Sequence, residues 1–443
     1  MSKKVALHNL GCKVNAYEVE AMQQLLEKAG YEIVPFEEGA DIYLINTCTV
    51  TNIADRKSRQ MLHKAKKMNP NAIVVATGCY VQTDTQKLEE DRAVDLILGN
   101  NQKKQIVEAL EEYEKEHTKK VKVIEINKTK EYEDLSIGYT AEHVRAYIKV
   151  QDGCNQFCTY CIIPYARGRV RSRKIAEVLD EVRALAARGY KEVVLTGIHL
   201  SSYGVDFKEE ERESLLSLIQ AVHEVEGIQR IRLGSLEPRI ITEEFMEGIS
   251  SLPKVCPHFH LSLQSGCDKT LRNMNRRYSA AEYAEKCELI RKFYPAPALT
   301  TDVIVGFPME TEEDFEESYE FVKNIHFYET HIFKYSRRQG TKAAVMEGQL
   351  TEAVKSIRSE KMIALHELRA KEYERSMIGK TLELLLEEEV EINGKTYFMA
   401  HSKEYVRAVV EKTNDHKVND LVMAKAVDFA DEHVLLAICE ELY

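Results

Sequence analysis

The segment DGCNQFCTYCIIPYARGR, residues 152–169, carries three closely spaced cysteines: Cys154, Cys158 and Cys161. Thiolates at this spacing suit an iron–sulfur cluster, which normally takes four cysteine ligands, or a zinc ion. Structural zinc also takes four ligands, and no fourth cysteine or histidine stands within this segment. A three-cysteine iron–sulfur site leaves one iron open to a substrate or cofactor. We therefore favour a cluster with an open iron and keep a three-ligand catalytic zinc site as the alternative.

Three further cysteines are far apart in sequence but share one setting. Cys12, Cys48 and Cys79 stand in LGCKVN, NTCTVT and TGCYVQ, and each directly follows a predicted strand. Parallel strands end at one edge of a sheet, so these three loops can bring three thiols together. The alternative is three unconnected buried cysteines, because cysteine often behaves as a small apolar residue. Spacing alone leaves both interpretations open.

The elements that must position the scattered cysteines alternate between strand and helix. Apolar periodicity predicts helices at 17–29 and 52–68. It predicts strands at 5–10, 41–47, 72–77 and 94–98. This alternation is typical of an α/β domain with a parallel sheet, and we assign residues 1–115 to it. The residues that follow are charged and weakly apolar, so we expect a linker over 116–140.

A second series of strands and helices positions the central cysteines. Its predicted strands lie at 145–150, 192–196, 230–234, 258–264, 301–306 and 330–334. Six such repeats, where a full barrel has eight, predict a partial (β/α)6 barrel. With a long helix that follows, this α/β domain spans 141–375. Five short strands in the remaining residues, 376–443, predict a small all-β barrel.

Composition narrows the classes of protein to consider. The chain has 443 residues and a formal net charge of -11, which argues against a protein that simply coats nucleic acid. Its apolar runs are short and no signal-peptide pattern opens the sequence, so we expect no membrane span and a cytoplasmic location. Thiols stay reduced there, and clustered cysteines then indicate metal binding or catalysis rather than disulfides.

Basic residues are nevertheless concentrated next to the cysteines. Solvated helix faces are the simpler explanation, but neutralisation of RNA phosphates near an active site accounts better for this placement. We therefore predict RNA contacts at Arg56, Lys57, Arg167, Arg169, Arg171 and Arg337. Beyond residue 380 acids outnumber bases, so we do not expect broad attraction of RNA by the last domain.

The CxxxCxxC run after the first barrel strand resembles the radical SAM superfamily. In that superfamily three thiolates hold a [4Fe–4S] cluster, and its open iron binds S-adenosylmethionine as the source of a 5′-deoxyadenosyl radical. The resemblance extends to LTGIHL at 195–200 and to DVIVGFPMET at 302–311, although the branch usually has glycine where Met309 stands. It implies cofactor contacts at Tyr160, Thr196, Gly197, Ser262, Gln264, Val305 and Gly306. Taken alone, each of these later stretches is also compatible with a core strand followed by a turn.

GCKVNAYE, NTCTVTNIADRKSR and TGCYVQ resemble the amino-terminal domain of the methylthiotransferases, a branch of that superfamily. There the three cysteines matching Cys12, Cys48 and Cys79 hold a second [4Fe–4S] cluster with an open iron. The order of domains also matches, with a TRAM domain after the barrel. GCKVN and CNQFCTYCIIPYARG look most like the members that methylthiolate N6-threonylcarbamoyladenosine (t6A) in tRNA.

This resemblance implies a reaction and its partners. The expected reaction is methylthiolation at C2 of t6A at position 37, with S-adenosylmethionine and two clusters that face one cavity. The expected partners are the tRNA anticodon stem-loop, an electron donor such as flavodoxin or ferredoxin, and a sulfur donor. Isopentenyladenosine in tRNA and a ribosomal protein are the alternative substrates within the family. A zinc-dependent RNA-binding protein without redox chemistry is the alternative from another class.

Overall fold

The computed structural model describes residues 2–140 and 144–439. The amino-terminal strands are β1 (Lys4–Asn9), β2 (Glu32–Val34), β3 (Ile42–Thr47), β4 (Ile73–Gly78), β5 (Leu96–Leu98) and β6 (Lys120–Lys122). The helices are α1 (Lys13–Lys28), α2 (Asn52–Met68), α3 (Cys79–Thr83), α4 (Thr85–Glu90) and α5 (Ile106–Glu116). The strands pair in parallel in the order β2-β1-β3-β4-β5-β6. The prediction of a parallel α/β domain is confirmed.

Helices cover both faces of this sheet. Tyr43 and Ile45 of β3 pack toward α2, whereas Ile42 and Leu44 pack toward α1 and α5. Burial on both faces is why β3 reads as a continuous apolar run. The sheet also contains β2 and β6, which the sequence does not predict: they are three-residue strands at the two edges, only partly buried, and so lack the apolar run that marks the buried strands. Since β6 lies within 116–140, part of the stretch expected as a linker is an edge strand of this sheet.

The central domain is an open barrel. Its strands are β7 (Arg145–Asp152), β8 (Arg171–Ser172), β9 (Glu192–Gly197), β10 (Arg230–Leu233), β11 (His258–His260), β12 (Ala298–Val305) and β13 (Glu329–Lys334). Its helices are α6 (Ile163–Arg167), α7 (Ile175–Ala187), α8 (Leu215–His223), α9 (Glu243–Ser250), α10 (Asp268–Asn273), α11 (Ala280–Phe293), α12 (Glu312–Ile325) and α13 (Glu352–Arg375). Leaving aside the short antiparallel β8, the orders β10-β9-β7 and β11-β12-β13 give six parallel strands within 144–439. Isolated bridges such as Leu236 to Leu261 join the two groups, and the predicted partial barrel is confirmed.

Side-chain alternation gives this barrel a polar interior. Ala146, Ile148 and Val150 of β7 pack into the core under the helices, and every second residue of the other strands does the same. Successive side chains of a strand point to opposite faces, so the intervening residues face the barrel interior. On β7 to β13 these include Arg145, Glu192, Arg232, His258, His260, Asp302 and His331. A closed barrel is filled with branched apolar side chains, and this polar interior is suited instead to binding a ligand.

The amino-terminal domain covers the gap between the first and last barrel strands. On one side α1 packs against β7. On the other side Arg338, four residues after β13, donates to Asn52 Oδ1 and Asp55 Oδ2, each at 2.6 Å. Its second terminal nitrogen donates to Thr49 Oγ1, also at 2.6 Å. The open side of the barrel is therefore closed by the domain that carries the scattered cysteines.

The carboxy-terminal strands form a closed barrel that covers the other end of the central domain. They are β14 (Thr381–Ile392), β15 (Lys395–Ser402), β16 (Arg407–Glu411), β17 (Leu421–Asp431) and β18 (Val434–Cys439), in the order β14-β15-β16-β18-β17. Arg230, at the start of β10, pairs with Glu383 at 2.8 Å, and Arg145, at the start of β7, pairs with Glu387 at 3.4 Å. Acidic residues of this barrel thus neutralise arginines of the central one. No helix in the described part of the chain is long and apolar enough to cross a membrane.

Candidate active site between the amino-terminal domain and the barrel

The three scattered cysteines lie at one edge of the amino-terminal sheet. Cys12 is the N-cap of α1, Cys48 directly follows β3, and Cys79 directly follows β4 and begins α3. Because β1, β3 and β4 are adjacent and parallel, their carboxyl ends meet at this edge. The predicted juxtaposition follows from this topology, and we call the three residues the amino-terminal triad.

Short contacts hold the three loops of the amino-terminal triad together. Asn15 accepts a weak bond from the Cys12 thiol at 3.9 Å and donates to the carbonyl of Thr47, the residue before Cys48, at 3.1 Å. A Cβ at Gly11 would stand only 3.1 Å from the Cys48 sulfur, so glycine permits this approach. Three soft thiol ligands, with a glycine that leaves room beside them, fit an iron–sulfur cluster.

The central cysteines lie in a loop that follows β7, at the carboxyl end of the barrel strands. Within this central triad the Cys161 N–H donates to the Cys158 carbonyl at 3.0 Å. The Cys154 N–H donates to the Gly168 carbonyl at 3.0 Å, and the Arg276 guanidinium donates to the Cys158 sulfur at 3.2 Å. These contacts turn the loop back on itself, and its donor set also fits an iron–sulfur cluster.

Helix α6 connects the two triads. It begins just after Cys161 and ends at Arg167, whose Nε donates to the Cys79 sulfur at 3.1 Å. Asn100 also contacts both sides, donating to the Ala166 carbonyl at 2.7 Å and to the Cys79 sulfur at 3.8 Å. The structure therefore places the two triads on either side of one short helix.

Arg167 belongs to a buried network of charges beside the amino-terminal triad. Its guanidinium pairs with Glu18 and donates to Asn15 Oδ1 at 2.6 Å. Glu18 also pairs with Lys149 at 2.7 Å and Lys103 at 3.1 Å. Although burial opposes the charge of Glu18, Arg167 and the two lysines hold the pKa of this carboxyl well below its usual value. Asp152 and Arg171 complete the network, which contains four cations and two anions.

Burial raises the pKa of most thiols of the two triads. It raises the pKa of Cys48 and Cys161 to about 12 and that of Cys154 to about 11, with neighbouring cysteines adding to the effect. The pKa of Cys12 is raised by burial as well, although its side chain is accessible to water. Thiols this deep become ligands by losing a proton to a bound metal, and the nearby arginines favour the thiolate.

The residues assigned to S-adenosylmethionine lie at the same end of the barrel as the central triad. They end or follow β9, β11 and β12: Thr196, Gly197, Ser262, Gln264, Val305 and Gly306. Tyr160, between two cysteines of the triad, meets the ring of Phe307 edge-on at 6.5 Å between centroids. The structure therefore brings Tyr160 next to the turn after β12, and contact of these residues with the cofactor stays a prediction.

The structure corrects the assignment of Val305 to the cofactor site. Its side chain points into the core under the helices, and its carbonyl accepts the Tyr335 N–H at 2.9 Å. The turn that follows keeps left-handed backbone at Gly306 (φ 73) and also at Met309 (φ 65), where the branch usually has glycine. The Met309 N–H donates to the Gly348 carbonyl at 2.9 Å, which holds methionine in a conformation that favours glycine.

Comparison with known families agrees with this arrangement. Residues 4–99 match the family model described as Uncharacterized protein family UPF0004, and residues 148–322 match the Radical SAM superfamily. The first match contains the amino-terminal triad and the second contains the central triad.

Sequence identity to curated relatives identifies the family to which the chain belongs. The chain is 42% identical to the threonylcarbamoyladenosine tRNA methylthiotransferase MtaB of Bacillus subtilis over 412 residues, 93% of this chain and 91% of that protein. Identity to MtaB of Aquifex aeolicus is 44% over 394 residues, 89% and 95% of the two chains. The chain belongs to the radical SAM methylthiotransferase family. The tRNA-2-methylthio-N(6)-dimethylallyladenosine synthase of Thermoanaerobacter pseudethanolicus is 36% identical over 387 residues, 86% of this chain and 81% of that one.

Solved structures agree with the fold of this methylthiotransferase. The radical S-adenosylmethionine methyltransferase TsrM of Kitasatospora setae matches with a TM-score of 0.58 at 16% identity, over 78% of this chain and 75% of that chain. The cobalamin-dependent radical enzyme OxsB matches with a TM-score of 0.52 at 10% identity, over 85% and 56% of the two chains. Membership of the superfamily implies S-adenosylmethionine and a [4Fe–4S] cluster as cofactors.

Two of the arginines assigned to RNA lie inside this methylthiotransferase. Arg167 is 0% exposed, and Arg171, also 0% exposed, donates to the Arg167 carbonyl at 3.0 Å. Charged side chains this deep need partners, and Asp152 supplies one for both. The prediction that these two arginines contact RNA phosphates is therefore wrong.

The other predicted RNA contacts lie on the surface: Arg56, Lys57, Arg169 and Arg337. Near them, a cleft of about 660 Å³ opens between α2, the α3–α4 segment, α6 and the loop after β13. Its lining includes Asn52, Gln82 and Ile162, each within four residues of a triad cysteine. At its α6 wall the exposed Tyr165 meets Phe157 edge-on, and Arg169 covers the Phe157 ring at 4.5 Å. Sequence reasoning missed these aromatic residues, although both stand in the segment quoted at the outset.

Sequence reasoning also missed the polar barrel interior. His260 Nε2 lies 3.3 Å from Asp302 Oδ2, and the rings of His260 and His331 stack at 5.6 Å. The ligand atoms of these three side chains all lie within 4.8 Å of one another, so together they could hold one cation. The available signal was alternation, since HFH at 258–260 and TTDVI at 300–304 place His258, His260, Thr300 and Asp302 at every second position of buried strands.

Gly153 should be the least replaceable glycine of the central triad loop. It has left-handed backbone (φ 72), and an added Cβ would stand 1.9 Å from the Arg169 carbonyl oxygen. We expect Gly153→Ala to lower the free energy of unfolding through backbone strain of about 1–2 kcal/mol and through overpacking of about 1–3 kcal/mol more. Gly189→Ala is the matched control, because Gly189 also has positive φ but has no atom within 4 Å of the added Cβ. Urea denaturation of both variants measures the difference, and equal losses would contradict the account.

Proposed function

We propose that this methylthiotransferase adds a methylthio group to C2 of t6A at position 37 of tRNA, and that it uses two [4Fe–4S] clusters. One observation carries the proposal: two separate sets of three cysteines lie on either side of α6, and Arg167 at the end of α6 donates to the Cys79 sulfur. The choice of t6A is supported by relatives, because identity to the two MtaB proteins exceeds identity to the dimethylallyladenosine synthase.

In this proposal each triad holds one cluster. Cys154, Cys158 and Cys161 bind the cluster that takes S-adenosylmethionine, with Tyr160, Thr196, Gly197, Ser262, Gln264 and Gly306 around the cofactor. Cys12, Cys48 and Cys79 bind the second cluster. When bound, these groups supply a 5′-deoxyadenosyl radical and the sulfur that is transferred.

The protein's own residues orient and tune these groups. Arg276 donates to Cys158 and Arg167 donates to Cys79, so each triad has one arginine on one sulfur. Hydrogen bonds to cluster sulfurs and a nearby positive charge influence the reduction potential. The amino-terminal domain, which closes the open side of the barrel, excludes bulk water from the space between the triads.

The anticodon stem-loop is the proposed macromolecular substrate. Arg56, Lys57, Arg169 and Arg337 supply positive charge for the phosphates, and Tyr165 offers an exposed ring on which a base can stack. The cleft beside them gives a single unpaired nucleoside a route toward both triads. The proposed cycle also requires an electron donor such as flavodoxin or ferredoxin and a sulfur donor.

Mass spectrometry of tRNA nucleosides tests the proposal. Reconstituted enzyme is incubated anaerobically with S-adenosylmethionine, a reductant and either of two tRNAs that carry t6A or isopentenyladenosine at position 37. We expect the methylthio product from the t6A tRNA only. Product from the isopentenyladenosine tRNA alone would contradict the substrate, and a colourless protein with zinc in place of iron would contradict the chemistry.

A further inference from the structure

Three side chains that can bind a metal project from adjacent strands of the central barrel. His260 ends β11, Asp302 lies on β12 and His331 lies on β13. In the parallel register Asp302 pairs with His331, and His260 pairs with Thr300, two residues before Asp302. Paired residues, and residues two apart on a strand, share a face of the sheet, so these three side chains lie on one face. We call them the His-Asp-His group.

The ligand atoms of the His-Asp-His group converge without satisfying one another. They all lie within 4.8 Å of one another, and His260 Nε2 is 3.3 Å from Asp302 Oδ2. His260 Nε2 is nevertheless buried without a hydrogen-bond partner, so the two atoms are close but not aligned for a hydrogen bond. In the described ranges the Asp302 carboxylate and the His331 ring make no hydrogen bond either; their contacts are this ion pair and the ring stack on His260.

Thr300 orients the His260 ring for metal binding. Its Oγ1 lies 3.0 Å from His260 Nδ1, and Thr300 is only 1% exposed, so water does not compete for this hydrogen bond. Histidines that bind a metal through one ring nitrogen usually bond a protein group through the other. The tautomer that donates from Nδ1 turns the Nε2 lone pair toward the Asp302 carboxylate, and two acceptors that face each other in this way need a cation between them.

A second group of possible ligands shows what a satisfied cluster looks like. Glu367, Glu432 and His433 also bring their ligand atoms within 4.8 Å of one another. There, however, His433 Nδ1 lies 2.9 Å from Glu374 Oε1 and His433 Nε2 lies 2.8 Å from Glu367 Oε2. Both ring nitrogens are occupied, so a protonated histidine accounts for this group without a metal. The His-Asp-His group has no such internal solution.

We propose that His260, Asp302 and His331 bind one zinc ion, in addition to the iron of the two cysteine triads. Two imidazoles and one carboxylate are a donor set that zinc accepts, with a fourth position left open to water or another ligand. At such a site zinc also binds more tightly than ferrous iron or manganese. His331 is exposed and gives the ion a route from solvent. The inference is independent of the proposed function, because neither the clusters nor tRNA takes part in it.

Zinc binding to the holoenzyme tests the inference. Reconstituted protein is desalted and dialysed anaerobically against increasing concentrations of zinc chloride, and zinc and iron are counted by mass spectrometry. We expect wild type to take up about one zinc ion per chain with its iron content unchanged. His331→Ala and Asp302→Asn should each weaken zinc binding at least 10-fold, since losing even an outer-shell partner costs about 10- to 100-fold. His331→Ala removes an exposed ring and Asp302→Asn keeps the side-chain shape, so unchanged iron content verifies that both variants fold.

His433→Ala is the matched control, because it removes a histidine from the satisfied group. It should bind zinc as tightly as wild type does. A wild type that takes up no zinc would overturn the inference and leave His260 and Asp302 as a simple ion pair. Wild-type zinc affinity in His331→Ala and Asp302→Asn would overturn it as well. Zinc uptake that displaces iron would place the ion in a cysteine triad, and loss of zinc in His433→Ala would place it in the other group; either result rejects the inference.

Discussion

Arg167→Gln is expected to lower the free energy of unfolding by about 3 kcal/mol, the lower end of the range for breaking a buried charge pair. Arg167 is fully buried and contacts Glu18, Asn15 and the Cys79 sulfur. The loss stays at the lower end because Lys149 and Lys103 still pair with Glu18. Urea denaturation under anaerobic conditions measures it, since the midpoint falls with stability.

Arg183→Gln is the control for this prediction. Arg183 is exposed on α7 and pairs with the exposed Asp180 at 3.4 Å, so its loss should change stability by about 0.5 kcal/mol or less. If Arg167→Gln unfolds at the same urea concentration as Arg183→Gln, the network beside the amino-terminal triad does not contribute as described.

Replacing a cysteine should stop formation of the 5′-deoxyadenosyl radical when the cysteine belongs to the central triad, but not when it belongs to the amino-terminal triad. We expect Cys158→Ala to abolish both 5′-deoxyadenosine and methylthiolated product, because the central triad is proposed to serve S-adenosylmethionine. Cys79→Ala should abolish the methylthiolated product while 5′-deoxyadenosine still forms, because only the sulfur-carrying cluster is lost. Chromatography of both products from anaerobic reactions measures the two outcomes.

Cys439→Ala serves as the comparison, because Cys439 lies in β18 of the carboxy-terminal barrel, outside both triads. It should form both products at wild-type rates. Methylthiolated product from Cys79→Ala at the rate of Cys439→Ala would show that the amino-terminal triad has no part in sulfur transfer.

The sequence was sufficient to predict those features of the fold that depend on single strands and the loops after them. The rule that parallel strands end at one edge suggested that Cys12, Cys48 and Cys79 lie together, and the family resemblance was needed to prefer a shared cluster over three separate buried cysteines. The six parallel barrel strands and the five strands of the last barrel followed from apolar periodicity in the same way. The edge strands β2 and β6, which are only partly buried, gave no such signal.

The sequence was insufficient where two domains meet. Arg167 and Arg171 stand in a basic run that is typical of a phosphate-binding surface. Glu18, the partner of Arg167, lies 149 residues away from it in sequence, and only the closed structure brings the two together. The interior histidines escaped for a related reason, since His260, Asp302 and His331 come from three different strands, β11, β12 and β13. Charge patterns along a chain do not reveal which charges another domain will cover.

Both the amino-terminal domain and the central barrel contribute residues to the candidate active site. The amino-terminal domain contributes one triad and closes the barrel, and the barrel contributes the other triad and the arginine that contacts Cys79. The carboxy-terminal barrel is acidic where it meets the arginines that begin β7 and β10. This contact accounts for two of its acids, Glu387 and Glu383, and supports a capping role for it.

Iron counting on triad variants tests the central claim most directly. The reconstituted wild type should hold about eight iron atoms per chain, from two clusters of four. Two triple variants are compared with it: alanine replaces Cys12, Cys48 and Cys79 in the first, and Cys154, Cys158 and Cys161 in the second. Each variant should hold about four iron atoms, with the Mössbauer spectrum of a [4Fe–4S] cluster. A wild type with about four iron atoms, or a first triple variant that keeps the full wild-type count, would contradict the account.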